Sequence, residues 1–213
     1  VFAAGRYGCR VTTTTNSQAH YEYATKRVAD AGLTDLVTIR NDDYRDLTGT
    51  YDKLICIEMI ETFGWRQLDT FFTVAGHLLA PDGLMGLQAI VIADQSYERT
   101  KRGDEFIGHF VFPGGCLPSI GAIVNSTAKT TDLRVIDLED IGWHYAETLA
   151  QWRSNLEQHA PAISQLGLPD AFQRLFELYL SYCEAGFLNR RISDVQMVFA
   201  RRDWTPPLQV RAL

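Results

Sequence analysis

The chain has 213 residues, 46% of them hydrophobic and 22% charged, with a formal net charge of −6 and a pI near 5.3. That supplies one sizeable core, and the acidic balance excludes the basic face of a nucleic-acid binder. No apolar run is long enough to cross a bilayer, and the basic pairs Lys101-Arg102, Arg190-Arg191 and Arg201-Arg202 are scattered and read as solvated.

Val1 to Arg6 reads as a last helical turn closed by Gly8. Cys9 to Thr15, rich in β-branched residues, predicts a strand. Ser17 offers an N-cap for a helix to about Ala31, where Tyr21, Ala24, Val28 and Ala31 recur at helical spacing, and Gly32 ends it. Leu36 to Arg40 is a second short strand, followed by the polar turn Asn41-Asp42-Asp43-Tyr44. The stretch Tyr51 to Gly64, YDKLICIEMIETFG, organises the rest. Leu54 to Ile57 forms a continuous apolar run that predicts a buried strand, and Glu58 and Glu61 follow where it leaves the sheet. Open α/β sheets bind ligands at that edge. An acid there is either a cap or turn residue or a group aimed at a substrate; both readings stay open for Glu61, and the structural one is preferred for Glu58.

Leu68 to Leu79 predicts a helix with Phe71, Phe72, Ala75, Leu78 and Leu79 on one side, Pro81-Asp82-Gly83 a turn, and Leu84 to Ile92 another buried strand. Strands alternating with helices indicate an α/β fold, a mostly parallel sheet with helices on both faces. Residues 94–119 break that alternation with a charged helix and the aromatic stretch FIGHFVFPGGCLPS, a candidate lid or a plain surface insertion. Then come a helix near Ile120 to Thr130, a strand near Leu133 to Leu138, helices over about Tyr145 to Gln165 and Ala171 to Phe187, and a closing strand, Ile192 to Ala200. Without repeat or linker, residues 1–204 read as part of one domain, with a loose tail at 205–213.

Cys9, Cys56, Cys116 and Cys183 lie far apart without a paired C-x-x-C, which argues against a zinc site or a disulfide framework. Thiols as small core residues fit a reducing, cytoplasmic compartment. The opening VFAAGRYG has no initiator Met and no signal-like pattern, and reads as though a segment in front is missing.

The blocks CRVTTTTNSQAHYEYA, NDDYRDL, YDKLICIEMIETFG, LLAPDGLMGLQAI, FIGHFVFPGGCLPS, WHYAETLAQWR and YLSYCEAGFLNRRISDVQMVFAR, spread from about Val1 to Trp204, together resemble the cyclopropane-fatty-acyl-phospholipid synthase family, which includes the mycolic-acid cyclopropane synthases. The resemblance implies a class I methyltransferase-like (Rossmann-like) sheet and S-adenosylmethionine as cofactor. The activity it implies is methyl(ene) transfer to the double bond of an unsaturated phospholipid acyl chain. An alkene is a weak nucleophile, so the reaction needs a dry, aligned channel. The carbocation it leaves must lose a proton to a base, which the resemblance implies is a bound bicarbonate.

In that resemblance Glu61 is the cradling glutamate, Tyr145 the tyrosine, and Ile90 the position whose backbone helps hold the anion. Gln88 stands at the family's histidine position, and an amide can hydrogen-bond but cannot carry a charge. Thr15 and the following helix match the ribose side of the cofactor, with His20 where relatives commonly have glutamine. Asp43 and Tyr44 match the adenine-side turn. The resemblance further places a glycine-rich loop and a first strand ahead of Val1. That strand would separate Cys9–Thr15 from Lys53–Ile57 by two spacings, about 9 to 10 Å, and its loss predicts weak or absent cofactor binding by these 213 residues alone. A non-catalytic lipid-binding paralogue and a small-molecule methyltransferase are the alternatives. Lys101 and Arg102 suggest peripheral contact at the inner membrane face.

Overall fold

The computed structural model describes residues 1–103 and 106–206, and divides into two units, Val1–Gly49 and Thr50–Leu213. Asp104 and Glu105 of the insertion and residues 207–213 of the tail lie outside the described residues.

In the first unit, α1 (Phe2–Tyr7) ends at Gly8, whose φ of 66° makes the left-handed cap that a side chain would strain. Strand β1 (Val11–Thr14) pairs in parallel with β2 (Val37–Arg40). Between them α2 (Gln18–Asp30) starts on Ser17, whose hydroxyl accepts from the His20 N–H. Ala4, Val28 and Val37 form the buried centre, packed by Val11, Leu33, Leu36 and Ile39. Cys9, expected in a core, is exposed, because it precedes the strand rather than belonging to it.

The second unit is a four-stranded sheet in the order β3 (Tyr51–Ile57), β4 (Leu79–Ile92), β6 (Ile192–Ala200), β5 (Arg134–Asp140). The β3–β4 pair is parallel, and β6 enters antiparallel to both of its neighbours. Helix α3 (Leu68–Leu78) buries Leu68, Phe71, Phe72, Ala75 and Leu78. There Phe72 packs on Phe199 with ring centroids 6.0 Å apart. Helix α4 (Asp94–Thr100) and α5 (Phe106–Phe110) make up the insertion, and α6 (Ile120–Thr130) follows the Ser119 cap. Helices α7 (Gly142–Gln158), α8 (Ala160–Ser164) and α9 (Asp170–Leu188) complete the chain order before β6. Among the described residues no helix is long and apolar enough to cross a membrane.

Four expectations change. The run Leu54–Ile57 is not buried throughout: Ile55 and Ile57 are 69% and 63% exposed, because β3 is an edge strand and no described helix of this unit covers that face. The turn at Pro81-Asp82-Gly83 is a bulge inside β4 instead. Tyr51 pairs with Leu79 and Lys53 with Leu84, so the intervening residues loop out of the ladder. The helix expected to run from Tyr145 to Gln165 breaks at His159, since Pro161 lacks the N–H that would extend α7 and sits in the first turn of α8. Finally, Arg201 is no solvated cation: it pairs with Asp132 at 2.6 Å and donates to the Gly76 and Leu79 carbonyls.

Candidate active site

The sequence EMIE leaves β3 where β4 continues alongside, so its acids turn toward the neighbouring strand. Glu58 has φ of 49°, a left-handed conformation unusual for a residue with a side chain and costing on the order of 1 kcal/mol. Its N–H donates to the Gln88 carbonyl at 2.9 Å. Its carboxylate does not cap a helix: Oε2 accepts from the Tyr145 hydroxyl at 2.8 Å, and Oε1 accepts from Gln88 Nε2 at 2.7 Å. Gln88 Nε2 also donates to Asp194 Oδ2 at 2.9 Å, and Gln88 Oε1 accepts from Gln196. Glu61, in the 3₁₀ turn Ile60–Thr62, accepts from the Ile90 N–H at 2.6 Å.

Glu61, Gln88, Ile90 and Tyr145 are thus drawn to one end of the β3–β4 pair, though Glu61 and Tyr145 do not bond each other; Glu58 stands between Tyr145 and Gln88. Asp194 is fully buried on β6, and no local motif marks it. Its only signal is the register that sets it opposite Ile90. His144, beside Tyr145 in the chain, is exposed.

Two of the three acids are held in the wrong medium for a charge. Burial first, and then the nearby Glu58, push Glu61 from 4.5 up to about 7, and its Oε2 is buried without a partner. Burial, then Glu58 and Glu61, push Asp194 from 3.8 up to about 7, and its Oδ1 is likewise unpartnered. Burial, then the bond to Glu58, raise the Tyr145 hydroxyl far above the ordinary tyrosine range, so it keeps its proton and donates it to Glu58.

The FPGGC stretch locks this turn from outside. Cys116 N–H donates to the Glu61 carbonyl at 2.9 Å. A Cβ on Gly115 would stand 2.8 Å from the Glu61 carbonyl oxygen and 3.1 Å from that of Phe112. Gly115→Ala is therefore expected to lower stability by about 1–3 kcal/mol through overpacking against backbone, read as a lower melting temperature.

Beside the acids, the insertion and α9 present an aromatic face. Phe106 meets Tyr182 edge-on at 5.8 Å and Phe112 meets Tyr179 at 6.2 Å. Phe110, Phe112, Phe172, Phe176 and Tyr182 are exposed. Tyr179, half-buried, leads inward: burial, Cys183 and the charge of Glu58 push its hydroxyl up to about 12. Tyr145 stacks on Phe187 at 4.7 Å. A separate cavity of about 170 Å³, lined by Asp140, Phe187, Arg190 and Ser193 among others, excludes Glu58, Glu61, Gln88 and Tyr145.

In the first unit, Thr15 follows β1, and its hydroxyl accepts from the Ser17 N–H at 3.1 Å. His20 is exposed in the first turn of α2. Tyr44 opens a 3₁₀ turn after β2. Asp43 accepts from the Arg45 N–H and Nε at Oδ1 and from Nη2 at Oδ2, which holds its carboxyl down at about 2.

The family model described as mycolic acid cyclopropane synthetase matches residues 1–197. Tuberculostearic acid methyltransferase UfaA1 of Mycobacterium tuberculosis is 37% identical over 199 residues, 93% of this chain and 46% of that protein. The cyclopropane-fatty-acyl-phospholipid synthase of Escherichia coli is 32% identical over 94% of this chain and 50% of its own length. The chain thus spans about half the length of these curated relatives. Among solved structures, mycolic acid cyclopropane synthase CmaA1 complexed with SAH and CTAB superposes with a TM-score of 0.82 at 26% identity, over 93% of this chain and 72% of that one.

Proposed function

Because the chain belongs to the mycolic acid cyclopropane synthetase family, we propose that it serves S-adenosylmethionine-dependent methyl transfer to the double bond of an unsaturated phospholipid acyl chain. The observation that carries this reading is the acid cluster of Glu58, Glu61 and Asp194 at the end of β3 and β4, set beside the aromatic face of α9 and the insertion. An apolar wall can hold an acyl chain dry, and buried acids can steady and then deprotonate a cation forming in it.

When bound, S-adenosylmethionine supplies an electrophilic methyl group. Thr15, His20, Asp43 and Tyr44 would hold its adenosine half, and the donor set fits. A carboxylate has about four acceptor sites; Arg45 takes three at Asp43, which leaves Oδ2 able to accept from an exocyclic amine. The Tyr44 ring suits a purine face, and the Thr15 hydroxyl and His20 imidazole suit ribose hydroxyls. Bicarbonate does not fit its implied place, because the donors meant for it are engaged by this chain's own carboxylates.

The test is incubation of the chain with methyl-labelled S-adenosylmethionine and oleoyl phospholipid vesicles, followed by mass analysis of the acyl chains. A gain of one methylene is expected. Vesicle binding without any gain would favour the lipid-binding paralogue.

Peripheral membrane contact is part of the same proposal. Arg66 and Arg102 lie 4.7 and 5.5 Å from the Trp65 ring centroid, an aromatic–basic group suited to an anionic lipid surface, while Lys101 beside them is largely buried and paired with Glu98. At about 1 kcal/mol per basic residue, Arg66→Ala with Arg102→Ala should weaken binding to anionic vesicles by about 30-fold and leave neutral vesicles unaffected. Sedimentation with both vesicle types measures this.

A further inference from the structure

We infer that the carboxylate of Glu58 is the base that takes the proton from the cationic acyl chain, standing where the resemblance places bicarbonate. The inference rests on the methyl-transfer reading above. Four groups were expected to cradle a small anion, the Glu61 carboxyl and three donors: the Tyr145 hydroxyl, the Gln88 amide and the Ile90 N–H. Every proton they carry is already donated. Tyr145 gives its proton to Glu58, Gln88 gives one to Glu58 and one to Asp194, and Ile90 gives its own to Glu61. The Gln88 carbonyl is taken by Gln196 as well. A free anion would thus meet no open donor among these three, and would find the Glu58 carboxylate already bonded to two of them.

The backbone supports the same assignment. Glu58 is held at φ of 49°, and among the described residues Arg190 is the only other non-glycine residue at positive φ. Strain of this kind persists where the surroundings over-determine a side chain. Here the over-determination aims the carboxylate between Tyr145 and Gln88 rather than at a helix end. Glu58 is only half-buried, whereas Asp194 is sealed. Asp194 and Gln196 are positioning residues: they fix the Gln88 amide, which in turn fixes Glu58.

The step balances without a co-reactant. A carbon–hydrogen bond of the methylated, cationic chain breaks, and its electron pair closes the ring or forms the neighbouring double bond. The proton passes to a Glu58 oxygen, giving a neutral product and a carboxylic acid, which solvent deprotonates.

The test has a binding arm and a rate arm. In the binding arm, carbon-13 bicarbonate is titrated into the wild-type chain and into Glu58→Gly, a substitution that suits positive φ and frees the Tyr145 and Gln88 donors. At least tenfold tighter bicarbonate binding by Glu58→Gly is expected. Equal binding by the two overturns the inference, whether or not either shows activity. In the rate arm, with S-adenosylmethionine and oleoyl phospholipid in carbonate-free buffer, wild-type turnover should change less than twofold on adding bicarbonate. Glu58→Gln, which keeps the volume and protects against a folding failure, should lose about 10²- to 10⁴-fold. A bicarbonate-dependent wild type, or a fully active Glu58→Gln, also overturns it. Wild-type chain inactive on every acyl chain would sink the methyl-transfer reading and with it the role as base, while the binding arm would still show whether Glu58 fills the anion's place.

Discussion

Tyr145→Phe is expected to lower methyl transfer by about 10²-fold, the usual loss when one pre-placed donor is removed from a charge-bearing site, with little change in fold. The two effects separate because the hydroxyl and the ring do different work. The hydroxyl donates to Glu58 Oε2 at 2.8 Å and, held far above the ordinary tyrosine range by burial, has no role as a base. The ring stacks on Phe187 with an interplanar angle of 9° and meets Trp152 edge-on, contacts that phenylalanine keeps. A hydrogen bond to a charged group is worth about 1.5–3 kcal/mol when sealed from water. Glu58 is only half-buried, so solvent recovers part of this, and the stability change should stay near 1 kcal/mol. The comparison is turnover against melting temperature in the same preparation. Full turnover in the variant would show that Glu58 does not need this donor, while a large loss of stability would make Tyr145 a packing residue.

Local signals carried much of the fold. Ser17 and Ser119 cap their helices, Gly8 takes the left-handed closure, and Ile192–Ala200 forms the strand its apolar content indicates. The errors came where a neighbour decided. Ile55 and Ile57 are as apolar as a buried strand requires, yet their exposure depends on what lies across β3, which no window of sequence contains. The same holds for β5, exposed along its whole length despite Val135, Ile136 and Leu138, because it is the other edge of the sheet. In the candidate site, Glu61, Gln88, Ile90 and Tyr145 sit in recognisable blocks and do converge. Glu58 was visible but looked like a turn acid, since its bonds to Tyr145 and Gln88 follow from a positive φ. Asp194 was invisible because it meets Gln88 across 106 positions through an antiparallel register.

The acid cluster should make the protein lose stability as pH rises. Glu61 and Asp194 both titrate near 7 in the folded chain, against 4.5 and 3.8 ordinarily, because burial and the mutual presence of Glu58, Glu61 and Asp194 oppose charge. Between those limits the folded chain holds protons that the unfolded chain has released, so unfolding becomes easier as pH climbs. The stabilising contribution is complete below about pH 4 and is lost by the time pH passes about 7, with a slope up to about 1.4 kcal/mol per pH unit for each proton held. The two groups share their titration, so the total falls short of two independent protons. Asp194→Asn isolates one share: its amide oxygen still accepts from Gln88 Nε2, and the oxygen without a partner is replaced by a donor facing acids. The variant should flatten the pH slope of the melting temperature by about half and match or exceed the wild type at pH 8, where the wild type must carry a charge at a site with no solvent exposure. Thermal melts of both proteins from pH 5 to pH 8 decide the matter: parallel curves would mean that Asp194 is charged across the whole range and that the cluster is an ordinary anionic surface.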